Sequence, residues 1–256
     1  MFRQLRILVL LLILFFVAMD AWLTRAYSTD WRQSLYVSVY PINADGSTIV
    51  DDYIAGLDED DFNGIEAFLK RETARYGRSI DKPVRIVLGP RIDEQPPALD
   101  DQPNVVDIML WSLRMRRWAG NVADGRERYA PDVRLFLRYH DPKLTLALDD
   151  SVGIEKGMFG IVNAYASRRY AGQNNVIIAH EFLHTLGATD KYAPGNAQPL
   201  LPDGIAEPNR SPLYPQDRAE IMGGRIALSP SEAIIPKNLN QVIIGPLTAS
   251  EIRLGR

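Results

Sequence analysis

The sequence predicts an α+β domain, a mixed twisted sheet with a motif-bearing helix, behind an N-terminal apolar segment. Three observations predict it. Short alternating runs of β-branched and aromatic residues are interleaved with longer runs whose apolar residues recur at helical spacing. The first 26 residues carry arginines followed by an unbroken apolar stretch. The chain has 256 residues, 46% of them hydrophobic, and no cysteine. A chain of this length builds one sizeable domain, the favoured reading, or two small ones, and no disulfide framework supports it.

The elements follow in order. Arg3 and Arg6 precede the apolar run Ile7–Met19, and after Asp20 the residues Ala21, Trp22 and Leu23 extend it. Counted through Leu23, the run just reaches the lower limit for a bilayer span, about 17 residues. Residues 1–26 read as an uncleaved signal anchor with the N-terminus in the cytoplasm. A cleaved signal peptide is the alternative, although Thr24-Arg25-Ala26 is a poor cleavage site, and a buried core helix is a third reading. Residues 27–34 read as a polar stalk, with the domain spanning 35–256. Leu35–Tyr40 alternates as a strand and closes in a turn at Asn43-Ala44-Asp45-Gly46. The acids Asp58 to Asp61 precede Phe62, Ile65, Phe68 and Leu69, a helical face that Gly77 stops. Their spacing is not that of a calcium loop, and carboxylates favour a helix N-terminus. Pro83–Leu88 is a second strand. After a proline-rich loop, Val105–Ala119 carries Met, Leu and Trp at helical spacing. Val133–Tyr139 and Leu144–Leu148 read as strands joined at His140-Asp141-Pro142, and Phe159–Ala166 as another. Beyond Asp190, about thirty residues rich in proline form a loop of the length usually found where loops are functional or disordered. A tight turn at Ala219–Gly224 and a short helix at Pro246–Ile252 complete the chain.

The most informative stretch is His180-Glu181-Phe182-Leu183-His184-Thr185-Leu186-Gly187-Ala188-Thr189-Asp190. Ala179, Phe182, Leu183 and Leu186 give the helix one buried face. Residues four apart share a helix side, so His180 and His184 can bind one metal ion together. Glu181, one position on, is aimed beside that ion, where it can take a proton from a metal-bound water. Gly187 permits a sharp turn, after which Asp190 can return as a third ligand. His140, Glu207 and Glu220 are rival ligands. Two of the three histidines in the chain lie in this motif. The net charge of −3 and the lack of a basic run interleaved with aromatics argue against nucleic acid as a partner.

With Met222 in a glycine-rich turn, the motif resembles the metzincin clan of zinc endopeptidases. It is most similar to the variant with aspartate as third ligand, as in the snapalysin and immune-inhibitor-A types. About 20 residues carry the match. The resemblance implies a metzincin-like catalytic domain with Zn²⁺ held by His180, His184 and Asp190, Glu181 as general base, and Met222 beneath the metal. Plain hydrophobic packing is the other reading of Met222. An extended protein or peptide substrate would pair with an edge strand, for which Phe159–Ala166 is the candidate through Phe159, Gly160, Ile161, Val162, Asn163 and Ala164. Two departures stand out. Most of the clan has histidine where this chain has Asp190, and no tyrosine follows Met222. Tyr192 is a candidate substitute donor or a loop-packing residue. The expected protein is thus a membrane-anchored zinc metallopeptidase facing the periplasm or exterior, secreted if its leader is cleaved. A zinc amidase acting on envelope material and a non-catalytic anchored module with a structural or vestigial zinc are the alternatives. Structural zinc sites are usually closed by four ligands and have no need of Glu181.

Overall fold

A computed structural model describes residues 31–98, 105–123, 131–148, 151–154 and 158–255. The apolar run at residues 7–23 lies outside them. Among the described residues no helix is long and apolar enough to cross a membrane.

The chain opens with β1 (Leu35–Asn43), α1 (Thr48–Ala55), a 3-10 turn at Glu59–Phe62, α2 (Asn63–Arg75) and β2 (Val84–Leu88). It continues through α3 (Val105–Ala123), β3 (Val133–His140), β4 (Val152–Ile154), β5 (Phe159–Tyr165) and α4 (Ala171–Thr185). The C-terminal part holds the two-residue strands β6 (Ala219–Glu220), β7 (Ile226–Ala227), β8 (Ala233–Ile234) and β9 (Val242–Ile243), then α5 (Pro246–Glu251).

Five strands form one mixed sheet in the order β2-β1-β3-β5-β4. The first four are parallel, and β4 runs antiparallel against β5 at the edge. Of the parallel strands, β1, β3 and β5 are buried along most of their length and rich in apolar residues, as strands covered on both faces require. Alternation still sorts them. Val37, Val39, Leu135, Leu137, Val162 and Ala164 point into the main core with residues of α1, α2, α4 and the C-terminal segment. Tyr40, Ile42, Phe136, Phe159 and Ile161 point the other way, onto Met115, Trp118, Ala119 and Val122 of α3. The sheet thus has helices on both faces, a mixed α/β arrangement consistent with the α+β class.

Local chemistry sets the helix ends. The Ser47 hydroxyl accepts from Val50 N–H to start α1. Asp58 and Asp61 form a reciprocal capping box ahead of α2, the work expected of that acidic run. Gly77 takes a φ of 78°, and Arg78 N–H returns to the Thr73 carbonyl, which closes α2.

Three expectations need correction, and one helix had no expectation. Leu144–Leu148 is not a strand but turn and bend, with Leu144 67% and Leu146 91% exposed. Alternating leucines copied a strand pattern where no neighbouring strand offers a ladder. Helix α1 was not anticipated, because the turn signal just before it masked Val50 and Ile54, which are buried four apart. The polar stalk does not run to Ser34: Trp31 is 3% exposed, and its indole N–H donates to the Ile252 carbonyl at 2.8 Å. Packing of the domain therefore begins before Leu35. Lastly, Phe159–Ala166 does not lie at the sheet edge along its whole length. β5 pairs with β3 along Phe159–Tyr165 and with β4 at Phe159–Ile161, so over those three residues the edge position belongs to Val152–Ile154.

Candidate metal centre

Helix α4 carries His180 and His184 one turn apart, their rings meeting edge to face with centroids 4.7 Å apart. The helix stops where Gly187 adopts a φ of 100°. Gly187 N–H donates to the His184 carbonyl and Ala188 N–H to the Leu183 carbonyl, the paired bonds of a Schellman turn. This reversal turns the Ala188 carbonyl back onto the His184 ring, and its oxygen lies 2.8 Å from Nδ1. It also returns Asp190 to the helix face. Asp190 Oδ1 is 3.1 Å from Nε2 of His180 and 3.1 Å from Nε2 of His184, and the two Nε2 atoms are 3.0 Å apart.

His180 is fixed in the same way from a distant segment. Its Nδ1 lies 2.9 Å from the Ile221 carbonyl, in the turn that precedes Met222. A carbonyl oxygen only accepts, so Nδ1 carries the proton in both rings. In the neutral rings both Nε2 atoms then present lone pairs to the same point, and Asp190 adds an anionic oxygen. Donors about 2.0–2.2 Å from one tetrahedral ion lie roughly 3.3–3.6 Å apart. The observed triangle is within about half an ångström of that spacing. His180 and His184 with a neighbouring carboxylate could therefore hold a metal ion.

Electrostatics agree with a cation at this point. Burial pushes the Asp190 carboxyl up, but the bonds from His180 and His184 hold it well below the usual carboxylate range. Burial pushes the His184 imidazole down, while the Asp190 and Glu181 carboxylates and the Ala188 carbonyl more than reverse this and raise it. At His184 the surroundings therefore favour the protonated ring.

Glu181 lies beside the triangle, with its carboxylate and the ligand atoms of both histidines within 4.8 Å of one another. It is 5% exposed, and its Oε2 is buried without a hydrogen-bond partner. Burial raises its carboxyl above the ordinary value, against the lowering effect of the two histidines and the Gly153 N–H. Gly153 sits in β4, which crosses α4 so closely that a β-carbon there would lie 2.5 Å from His184 Cβ and 2.6 Å from the Glu181 carbonyl oxygen. The sequence reading missed this contact, since a three-residue strand centred on glycine has no periodic signal.

Met222 is fully buried in the main core. Its turn is organised by Glu220, whose Oε2 accepts from the N–H groups of Met222 (2.7 Å) and Gly223 (2.9 Å). Its Oε1 accepts from Gly245 N–H (2.9 Å) and the Thr248 hydroxyl (2.7 Å). With both oxygens engaged, Glu220 serves as a turn anchor and not as a ligand. The other rivals are engaged elsewhere too: His140 Nε2 lies 3.0 Å from Asn163 Oδ1, and Glu207 pairs with Arg210 and Arg218. The Tyr192 ring centroid is 6.3 Å from that of His180. Of the β5 residues considered as a substrate platform, Phe159 to Ala164 are all buried.

No known family model and no curated protein matches the chain. Among solved structures, one described as "Structure of a chaperone-substrate complex" is similar at 14% identity with a TM-score of 0.41, over 87% of this chain. This chain spans 35% of the length of that one, and the likeness is too distant to bear on function.

Proposed function

We propose that this protein is a zinc-dependent endopeptidase of metzincin type. One observation carries the reading: three electron-pair donors, His180 Nε2, His184 Nε2 and Asp190 Oδ1, converge with 3.0–3.1 Å sides, while backbone carbonyls hold the protons of both rings on the far nitrogen. A zinc ion held there would supply water acidified to a pKa of about 7 and polarise a carbonyl. Every other part belongs to the chain. Glu181 takes the proton of the attacking water and returns it to the departing amine. Its raised affinity for protons, a consequence of burial, suits it to both halves of that task. Its Oε2, buried without a hydrogen-bond partner, supports the catalytic reading, since in a purely structural site such an oxygen costs stability for no gain. Met222 supports the floor of the site through the turn that presents the Ile221 carbonyl. β4, the outer strand beside α4, is the place for an extended substrate to add as a further strand. The N-terminal apolar run would anchor the domain at a membrane, with its substrates outside the cytoplasm.

The test is Glu181→Gln. Zinc content and fold should be kept while peptide hydrolysis falls by at least about 10²-fold, since loss of a general acid/base typically costs 10² to 10⁴. Turnover unchanged in this variant, or loss of zinc with it, rules out the assignment. Activity on envelope amides with none on peptides would instead identify a zinc amidase.

A further inference from the structure

The two histidines are fixed by a helix and by backbone carbonyls, but the third donor has no such support of its own. Asp190 lies on a loop with its side chain 44% exposed. Its neighbours on both sides are held by one carboxylate. Glu251, on α5 and far along the chain, accepts from Thr189 N–H at 3.1 Å and from the Thr189 hydroxyl at 2.6 Å, one bond to each oxygen. Lys191, only 4% exposed, donates from Nζ to Glu251 at 2.7 Å and to the Thr189 carbonyl at 2.9 Å. Lys191 N–H donates to the Met222 carbonyl at 2.9 Å, next to the residue whose carbonyl orients His180.

We infer that Glu251 is a positioning residue for the metal centre, clamping Thr189 and Lys191 on either side of Asp190 and so setting how tightly the site holds its ion. The inference rests on the ligand set proposed above. Residues that orient ligands from behind commonly change metal affinity by about 10–100-fold when replaced. A rigid clamp matters most for Asp190, because an exposed loop side chain otherwise loses conformational freedom on binding. The competing view is that Glu251 only fastens α5 to the domain, in which case its loss would lower stability and leave affinity for the ion untouched.

The experiment measures zinc dissociation constants by chelator competition on the full chain, for wild type, Thr189→Val, Glu251→Gln, Asp190→Ala and the double variant Asp190→Ala/Glu251→Gln. Val50→Ala, a core truncation in α1, serves as a destabilised control. Glu251→Gln should weaken zinc by about 10–100-fold, Thr189→Val by less, and Val50→Ala not at all. In the Asp190→Ala background, Glu251→Gln should weaken it no further, because its effect passes through that ligand. Wild-type affinity in both Glu251→Gln and Thr189→Val, or an equal loss with and without Asp190, overturns the inference. Thr189→Val retains the Lys191–Glu251 pair and so decides the matter if Glu251→Gln does not fold. Equal zinc affinity in wild type and Asp190→Ala would remove the ligand set itself, and the inference with it.

Discussion

Replacing Gly153 by alanine tests how closely β4 is seated on the motif helix. The backbone at Gly153 is not in the left-handed region, so the substitution introduces volume and no torsional strain. An added β-carbon would lie 2.5 Å from His184 Cβ and 2.6 Å from the Glu181 carbonyl oxygen. Carbon atoms in contact prefer about 3.5–4.0 Å, so something must move by roughly 1 Å. Both obstacles belong to the frame of α4, which is locked into the core through Phe182 and Leu183. The strand yields, because among the described residues β4 is a short edge strand joined to β5 by three residue pairs. Overpacking of this kind costs about 1–3 kcal/mol. A displacement of about 1 Å beside the reacting groups costs on the order of 10² in rate. Urea denaturation, zinc titration and peptide cleavage should therefore show lower stability and slower turnover with zinc still bound. Denaturation within about 0.5 kcal/mol of wild type, the scatter of neutral surface changes, would refute the seating of β4 against the helix.

Two further outcomes follow from the geometry. Asp190→Ala should lose zinc while His140→Ala keeps it, as read by metal content after dialysis; the reverse pattern would overturn the ligand set. Asp45 accepts from the N–H groups of Asp141 and Ser47, and these bonds, opposed by burial, hold its carboxyl below the usual value. Because the folded pKa is depressed, its stabilisation is present above the unfolded pKa of about 3.9 and is lost as pH falls through the folded value. Asp45 is exposed, so solvent screening limits the effect to under about 1 kcal/mol. Denaturation midpoints of wild type and Asp45→Asn should differ at neutral pH and converge as pH falls through the folded value; a constant offset would show that Asp45 does not titrate in this role.

What could be read from the residues was whatever repeats with a period or sits at fixed spacing. The i, i+4 histidines, the glycine that ends their helix and the acid three residues later were legible because helix geometry turns spacing into direction. Strand β1 was legible by its alternation, and β2, β3 and β5 as short runs rich in β-branched and aromatic residues. The rest depended on partners distant in sequence. Nothing in the vicinity of His180 announces that its tautomer is set by the Ile221 carbonyl, and nothing near Asp190 points to Glu251 on the last helix. β4 escaped because three residues centred on glycine carry no alternation, whereas Leu144–Leu148 alternates and yet has no ladder to join.

The bond from His180 to the Ile221 carbonyl spans 41 residues of chain. During synthesis the motif helix is therefore complete long before the segment that orients one of its rings has been made. Until the turn at Glu220–Gly223 emerges and docks, the His180 proton is free to sit on either nitrogen, and the donor triangle is not preset. Glu220 ties that docking to Gly245 and Thr248, which come later still. The donor arrangement is therefore set only once Ile221, Gly245 and Thr248 have all been made and packed against the motif helix.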